Sequence, residues 1–127
     1  MRKTVLDATA VLALLNDEPG AGTVASFLPQ AVISTVNLAE VVGKLAEAGM
    51  PEGTIKTVLG ELGLVVIPFD EDLALRTGLL RPATSNYGLS LGDRACLALG
   101  QQLHRPVLTA DRMWKTLKLD VEIQMIR

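Results

Sequence analysis

The feature that most constrains this chain is an alternation. Short runs rich in β-branched residues are separated by stretches with helical spacing. "KTVLD" reads as a strand ending at Asp7, with "ATAVLALLN" as the helix after it. "AGTVASFL" is a second short helix, "AVIST" a strand, and "VNLAEVVGKLAEAG" a helix closed by Gly49. Pro51 opens the helix "PEGTIKTVLGEL", as proline suits a first helical turn. "GLVVIPF" is a strand, "DEDLALRTGLL" a helix, and "RPATSNYG" the most loop-like stretch. A helix over 90–103, the strand "PVLTA", a short helix "DRMWKTLK" and a closing strand around "VEIQMI" complete the order. Such an order predicts an α/β fold with a mostly parallel central sheet and helices on both faces, in three α/β/α layers. At 127 residues the chain suits a single domain, 1–127.

Aromatics are only 3% of the residues, so the core must be aliphatic. No apolar run approaches the roughly 18 residues of a membrane span. The opening "MRKTVLDATAVLALLN" superficially resembles a signal peptide, but Asp7 interrupts it and no small-residue cleavage site follows. The single cysteine, Cys96, cannot form an internal disulfide, which fits a reducing cytoplasm. With one histidine, His104, a histidine metal site or a Ser-His-Asp triad has little support. A net charge of −2 argues against a general nucleic-acid coat, though not against a nucleic-acid substrate. Basic residues gather late in the chain, at Arg94, Arg105, Arg112, Lys115, Lys118 and Arg127. They serve equally well as solvated helix faces or as a phosphate track.

Within "LSLGDRACLALG", helical geometry places Asp93 on the face of Leu89, Cys96, Leu97 and Gly100, and turns Arg94 away from it. A buried, unpaired carboxylate is costly. Asp93 therefore needs a partner or a wet cavity. It also completes a capping box with Ser90, an ordinary structural role.

In open α/β sheets the site lies beyond the carboxyl ends of the strands. Asp7 ends the first strand, and Asp111 follows "VLT". Both should lie at the same sheet edge, although each also suits a helix N-cap. Glu40 falls opposite Leu38, Val42 and Leu45 on its helix, four residues before Lys44, where a surface ion pair would be favoured. Asp7, Glu40, Asp93 and Asp111 thus form the constellation of interest. Carboxylates packed together make chemical sense when a hard divalent cation neutralises them. Such an ion eases deprotonation of a bound water and neutralises charge on a phosphodiester.

Four stretches, "VLDATAVLALLNDEPG", "NLAEVVGKLAEAG", "LSLGDRACLALG" and "VLTADRMWKTL", carry a resemblance to the PIN-domain family, and within it to the VapC-type toxins of toxin–antitoxin pairs. They occur in the family's order and cover essentially the whole chain. The resemblance implies an acidic pocket of Asp7, Glu40, Asp93 and Asp111 that serves endoribonuclease chemistry. Asp7, Asp93 and Asp111 would ligate Mg²⁺ or Mn²⁺, and Glu40 would ligate or activate the water. Thr9 and Thr109 fall on pocket-lining positions, and Arg94 or Arg112 would steer phosphate. The resemblance further implies an RNA substrate, a cognate VapB-like antitoxin covering the pocket, and a homodimer using apolar surface of the helices at 35–62.

Two other readings stay open. One is a PIN nuclease of ordinary RNA processing, without a toxin role. The other is a non-catalytic binding protein in which the acids are caps and ion pairs. A D-x-D phosphatase is weaker, because Thr9 stands where that motif needs an acid.

Overall fold

The computed structural model describes residues 3–127. Its five strands are β1 (Thr4–Leu6), β2 (Ala31–Ser34), β3 (Val65–Ile67), β4 (Val107–Thr109) and β5 (Ile123–Met125). They form one sheet in the order β3-β2-β1-β4-β5, and every neighbouring pair is parallel. The α-helices are α1 (Ala8–Leu15), α2 (Ala21–Phe27), α3 (Thr35–Glu47), α4 (Glu52–Glu61), α5 (Glu71–Leu79), α6 (Arg81–Thr84) and α7 (Leu91–Leu103).

Alternation along the strands divides the core in two. Leu6, Ile33 and Leu108 face one layer, where Ala10, Val11, Val24, Val41, Leu45 and Ile55 come from α1 to α4. Val5, Val32 and Val107 face the other, where Leu73 of α5, Cys96–Leu99 of α7 and Trp114 pack. The expected three-layer α/β/α arrangement is the observed one, with a sheet that is parallel throughout.

Chain order explains where a site can form. The first three strands step outwards from β1 to one edge, and the chain then returns to lay β4 and β5 on the other side of β1. The direction of winding reverses between β1 and β4, and a crevice opens at such a point beyond the strand ends.

Local chemistry sets the element ends. Gly49, at φ +95°, closes α3 in the left-handed region, with Gly49 N–H donating to Ala46 and Met50 N–H to Leu45. Pro51 lies just outside α4, as its N-cap. The stretch read as loop-like, 81–88, is instead α6 followed by a 3-10 turn at Ser85–Tyr87. Pro82 sits at the start of α6, where its missing N–H costs nothing, and so favours the turn instead of breaking it. "DRMWKTLK" forms a 3-10 helix over Arg112–Thr116, with Trp114 fully buried. β3 is an edge strand, and Val65 is 50% exposed.

Candidate active site

Asp7 is the first residue beyond β1 and the N-cap of α1, with its Oδ1 accepting from Ala10 N–H at 2.9 Å. A cap needs only this bond, yet Asp7 is 3% exposed and holds more. Thr109 Oγ1, at the end of β4, donates to Asp7 Oδ2 at 2.6 Å. Thr9 Oγ1 lies 2.7 and 2.9 Å from the two carboxylate oxygens and gives its single proton to one of them. Each threonine oxygen accepts in turn from the chain after β4. Ala110 N–H donates to Thr9 and Asp111 N–H to Thr109, both at 3.0 Å. The two hydroxyls thus clasp the β4 exit to the β1 carboxylate across the winding reversal. Three donors occupy a carboxylate with about four acceptor positions, so one stays open.

Burial pushes Asp7 up to about 6, the hydrogen bonds from Thr109, Thr9 and Ala10 oppose that rise, and the Asp93 charge adds to it. Asp93 caps α7 through a complete capping box, with Ser90 Oγ accepting from Asp93 N–H and Asp93 Oδ2 accepting from Ser90 N–H. Asp111 caps the 3-10 helix through Met113 N–H. As expected, Asp7 and Asp111 lie at the same edge of the sheet, and the threonines join them.

Glu40 departs from the sequence reading. The buried stripe of α3 is Asn37, Val41 and Leu45, not Leu38, Val42 and Leu45, so Glu40 flanks the stripe instead of opposing it. No Glu40–Lys44 ion pair forms among the described residues. Glu40 Oε1 accepts instead from Asn37 Nδ2 at 2.9 Å, and the same Nδ2 donates to Gly92 O of α7 at 3.0 Å. A Cβ on Gly92 would stand 2.4 Å from Glu40 Oε1, so the carboxylate rests against a bare stretch of helix backbone. Asn37 and Gly92, which hold Glu40 in place, are positions that the sequence reading missed. The i,i+3 spacing of Asn37 and Glu40 was the available signal.

Cys96 of α7 is fully buried, and burial raises its thiol well above the ordinary range, with smaller contributions from Asp7, Asp93 and Glu40. It packs as a small apolar group. Among the described residues, no three His, Cys, Asp or Glu side chains already stand close enough to enclose an ion. The donor chemistry nevertheless fits a hard divalent cation. The acids offer only oxygen, Asp7 is buried without a basic partner among the described residues, and Gly92 leaves Glu40 a cradle that a Cβ would fill.

The arginines separate. Arg112 is exposed. Arg94, expected to turn away from the apolar face, is only 8% exposed, because α7 is buried on every side from Arg94 to Gly100. His104 is the left-handed C-cap of α7, roughly 16 Å along the helix from Asp93 at 1.5 Å per residue.

Residues 4–118 match the PIN domain family model. No curated protein matches the chain significantly by sequence. The fold is similar to that of a chain in DNA-bound VapBC from Salmonella typhimurium, with TM-score 0.79, 20% identity and all of both chains covered. It is similar to VapBC-5 of Mycobacterium tuberculosis, a member of the VapBC family of toxin–antitoxin systems, with TM-score 0.61, 21% identity, and 100% of this chain and 99% of that one covered. It is also similar to FitAcB from Neisseria gonorrhoeae, with TM-score 0.66, 25% identity, and 94% of this chain and 95% of that one covered. The winding order and the match over 4–118 together establish that this chain belongs to the PIN-domain family.

Proposed function

We propose that the protein is a metal-dependent endoribonuclease and the toxin of a VapBC-type pair. PIN domains are in general nucleases that use divalent metal ions. The observation that carries the reading is the Asp7 carboxylate, buried at the winding reversal with an acceptor position to spare and Asp93 in its field. A purely structural cap has no need of such burial, although Asp7, Asp93 and Asp111 all do cap helices. That last fact favours the non-catalytic alternative and is what an experiment must weigh.

Asp7, Asp93 and Asp111 would hold Mg²⁺ or Mn²⁺, which supplies charge neutralisation at the phosphodiester and a more acidic bound water. Thr9 and Thr109 keep Asp7 in one orientation. Glu40, held by Asn37, takes the proton of the attacking water or orients it. The leaving 3′ oxygen recovers a proton from solvent. Among the described residues no helix is long and apolar enough to cross a membrane, and we place the protein in the cytoplasm. A VapB-like antitoxin would cover the acids. For a homodimer we assign the apolar groove of about 380 Å³ between α3 and α4, lined by Val42, Ala46, Met50, Ile55 and Leu59.

The test is cleavage of total RNA by partner-free protein in Mn²⁺ or Mg²⁺. Discrete products are expected, and they should vanish with EDTA and in Asp93→Asn. Cleavage that survives in either control would refute the metal-site assignment. Calorimetry showing no divalent-ion binding, together with no cleavage, would favour the non-catalytic reading.

A further inference from the structure

Arg94 is a charge without a counterpart. It is 8% exposed, and among the described residues no carboxylate lies within ion-pair distance of it. The arginine side chains that find acceptors are Arg76, Arg105 and Arg127. The stem of Arg94 is buried, but none of its guanidinium nitrogens is both enclosed and unpartnered, so the charged end reaches the surface. A cation in the first turns of a helix opposes the helix dipole, and no hydrogen bond or ion pair among the described residues offsets that.

The guanidinium opens instead into a pocket of about 250 Å³ lined by Arg81, Thr84, Ser85, Gly88, Leu89 and Arg94. Thr84 and Ser85 donate their hydroxyl protons to Leu80 O and Pro82 O, so the two arginines are the side-chain donors left for a ligand. Two arginines lining one small polar pocket suit a phosphate, whose oxygens match the planar fork of arginine. The pocket includes Gly88 and Leu89, which lead directly into the Ser90–Asp93 capping box. A ligand there lies along the same α7 N-terminus that carries Asp93.

We propose that this pocket is a phosphate subsite, in which Arg94 and Arg81 hold a backbone phosphate of the RNA strand beside the acids. The proposal rests on the nuclease reading above. An acidic pocket repels a polyanion, and this pair would anchor the strand one phosphate or more from the bond to be cut.

The test has two arms, both on the full chain in EDTA so that no cleavage occurs. In the first, inorganic phosphate is titrated while the arginine Nε–H signals are followed by NMR. Saturable shifts of Arg94 are expected, and Arg94 signals that do not move would overturn the pocket. In the second, a labelled 2′-O-methyl oligoribonucleotide is bound at low and rising salt. Arg94→Gln should weaken binding roughly tenfold or more and flatten the log–log salt slope by about 0.7. Arg94→Lys should recover only part of the affinity. Arg81→Gln, at an exposed position and safe for folding, should show a smaller loss. Unchanged RNA affinity in both Gln variants would overturn the subsite while leaving the nuclease reading intact. A phosphate response without any RNA binding by the wild type would overturn RNA as the ligand of this pocket. Displacement of phosphate by an acidic peptide but not by RNA would overturn the proposal in favour of a protein partner.

Discussion

At the scale of single residues, Asp7 carries the most information. Its folded-state value of about 6 stands above its ordinary 3.8. Between those values the folded chain binds more protons than the unfolded one, so this group adds stability as pH falls and removes it as pH rises through 6. In chelator, the free energy of unfolding should be about 1 kcal/mol greater at pH 5 than at pH 7.5 from this group alone. Urea titrations at the two pH values check it, and Asp7→Asn should remove that increment. Asp7, Asp93 and Asp111 were legible because each sits in a local pattern, a strand end or a capping box. The burial of Asp7 was not, because it depends on Thr109, 102 residues away. Asn37 and Gly92 escaped for the same reason: their meaning arises where α3 touches α7.

At the scale of elements, α7 is the centre of the molecule, in contact with α3, α5 and the strands β1, β2 and β4. A helix buried on every side from Arg94 to Gly100 has no polar face there, which is why a helical wheel misplaced Arg94. Two of its glycines make a paired prediction. At Gly92 a Cβ meets the end of the flexible Glu40 side chain, whereas at Gly100 it meets Val107 Cγ2 at 2.5 Å and Val121 Cγ2 at 3.0 Å. Gly92→Ala should keep or slightly raise stability, by up to the roughly 0.5–1 kcal/mol gained over glycine in a helix, and the melting temperature with it. It should nonetheless lower RNA cleavage at least tenfold by displacing Glu40. Gly100→Ala should lose about 1–3 kcal/mol through overpacking against branched side chains. Thermal melts and cleavage rates of the two variants check the contrast; equal behaviour would contradict it. Ser90→Ala should cost about 1 kcal/mol by removing the cap. The helical character of 81–87 was illegible because proline, serine and asparagine, with Gly88 following, signal turns equally well, and one short turn of helix has no periodicity to detect.

At the scale of the whole molecule, the alternating order was enough to foresee a layered α/β fold, because few other architectures bury such a pattern. It did not specify which strands would be neighbours, and that choice positions the site. The return of the chain to β4 brings Thr109 beside Asp7. Filling the acidic crevice should therefore stabilise the fold as a unit. A divalent ion at 100 times its dissociation constant should add about 2.7 kcal/mol. Mn²⁺ should raise the wild-type melting temperature measurably, and Asp7→Asn should abolish the shift. An equal rise in both would place the ion elsewhere.

The clasp at the winding reversal also has a consequence in time. Asp7 leaves the ribosome 102 residues before Thr109. Until β4 is made, the first carboxylate has neither its partner hydroxyl nor the backbone that Thr9 holds. A nascent or prematurely terminated chain has no assembled pocket. On the nuclease reading, a chain that stops before β4 should therefore be inactive however well its earlier elements fold.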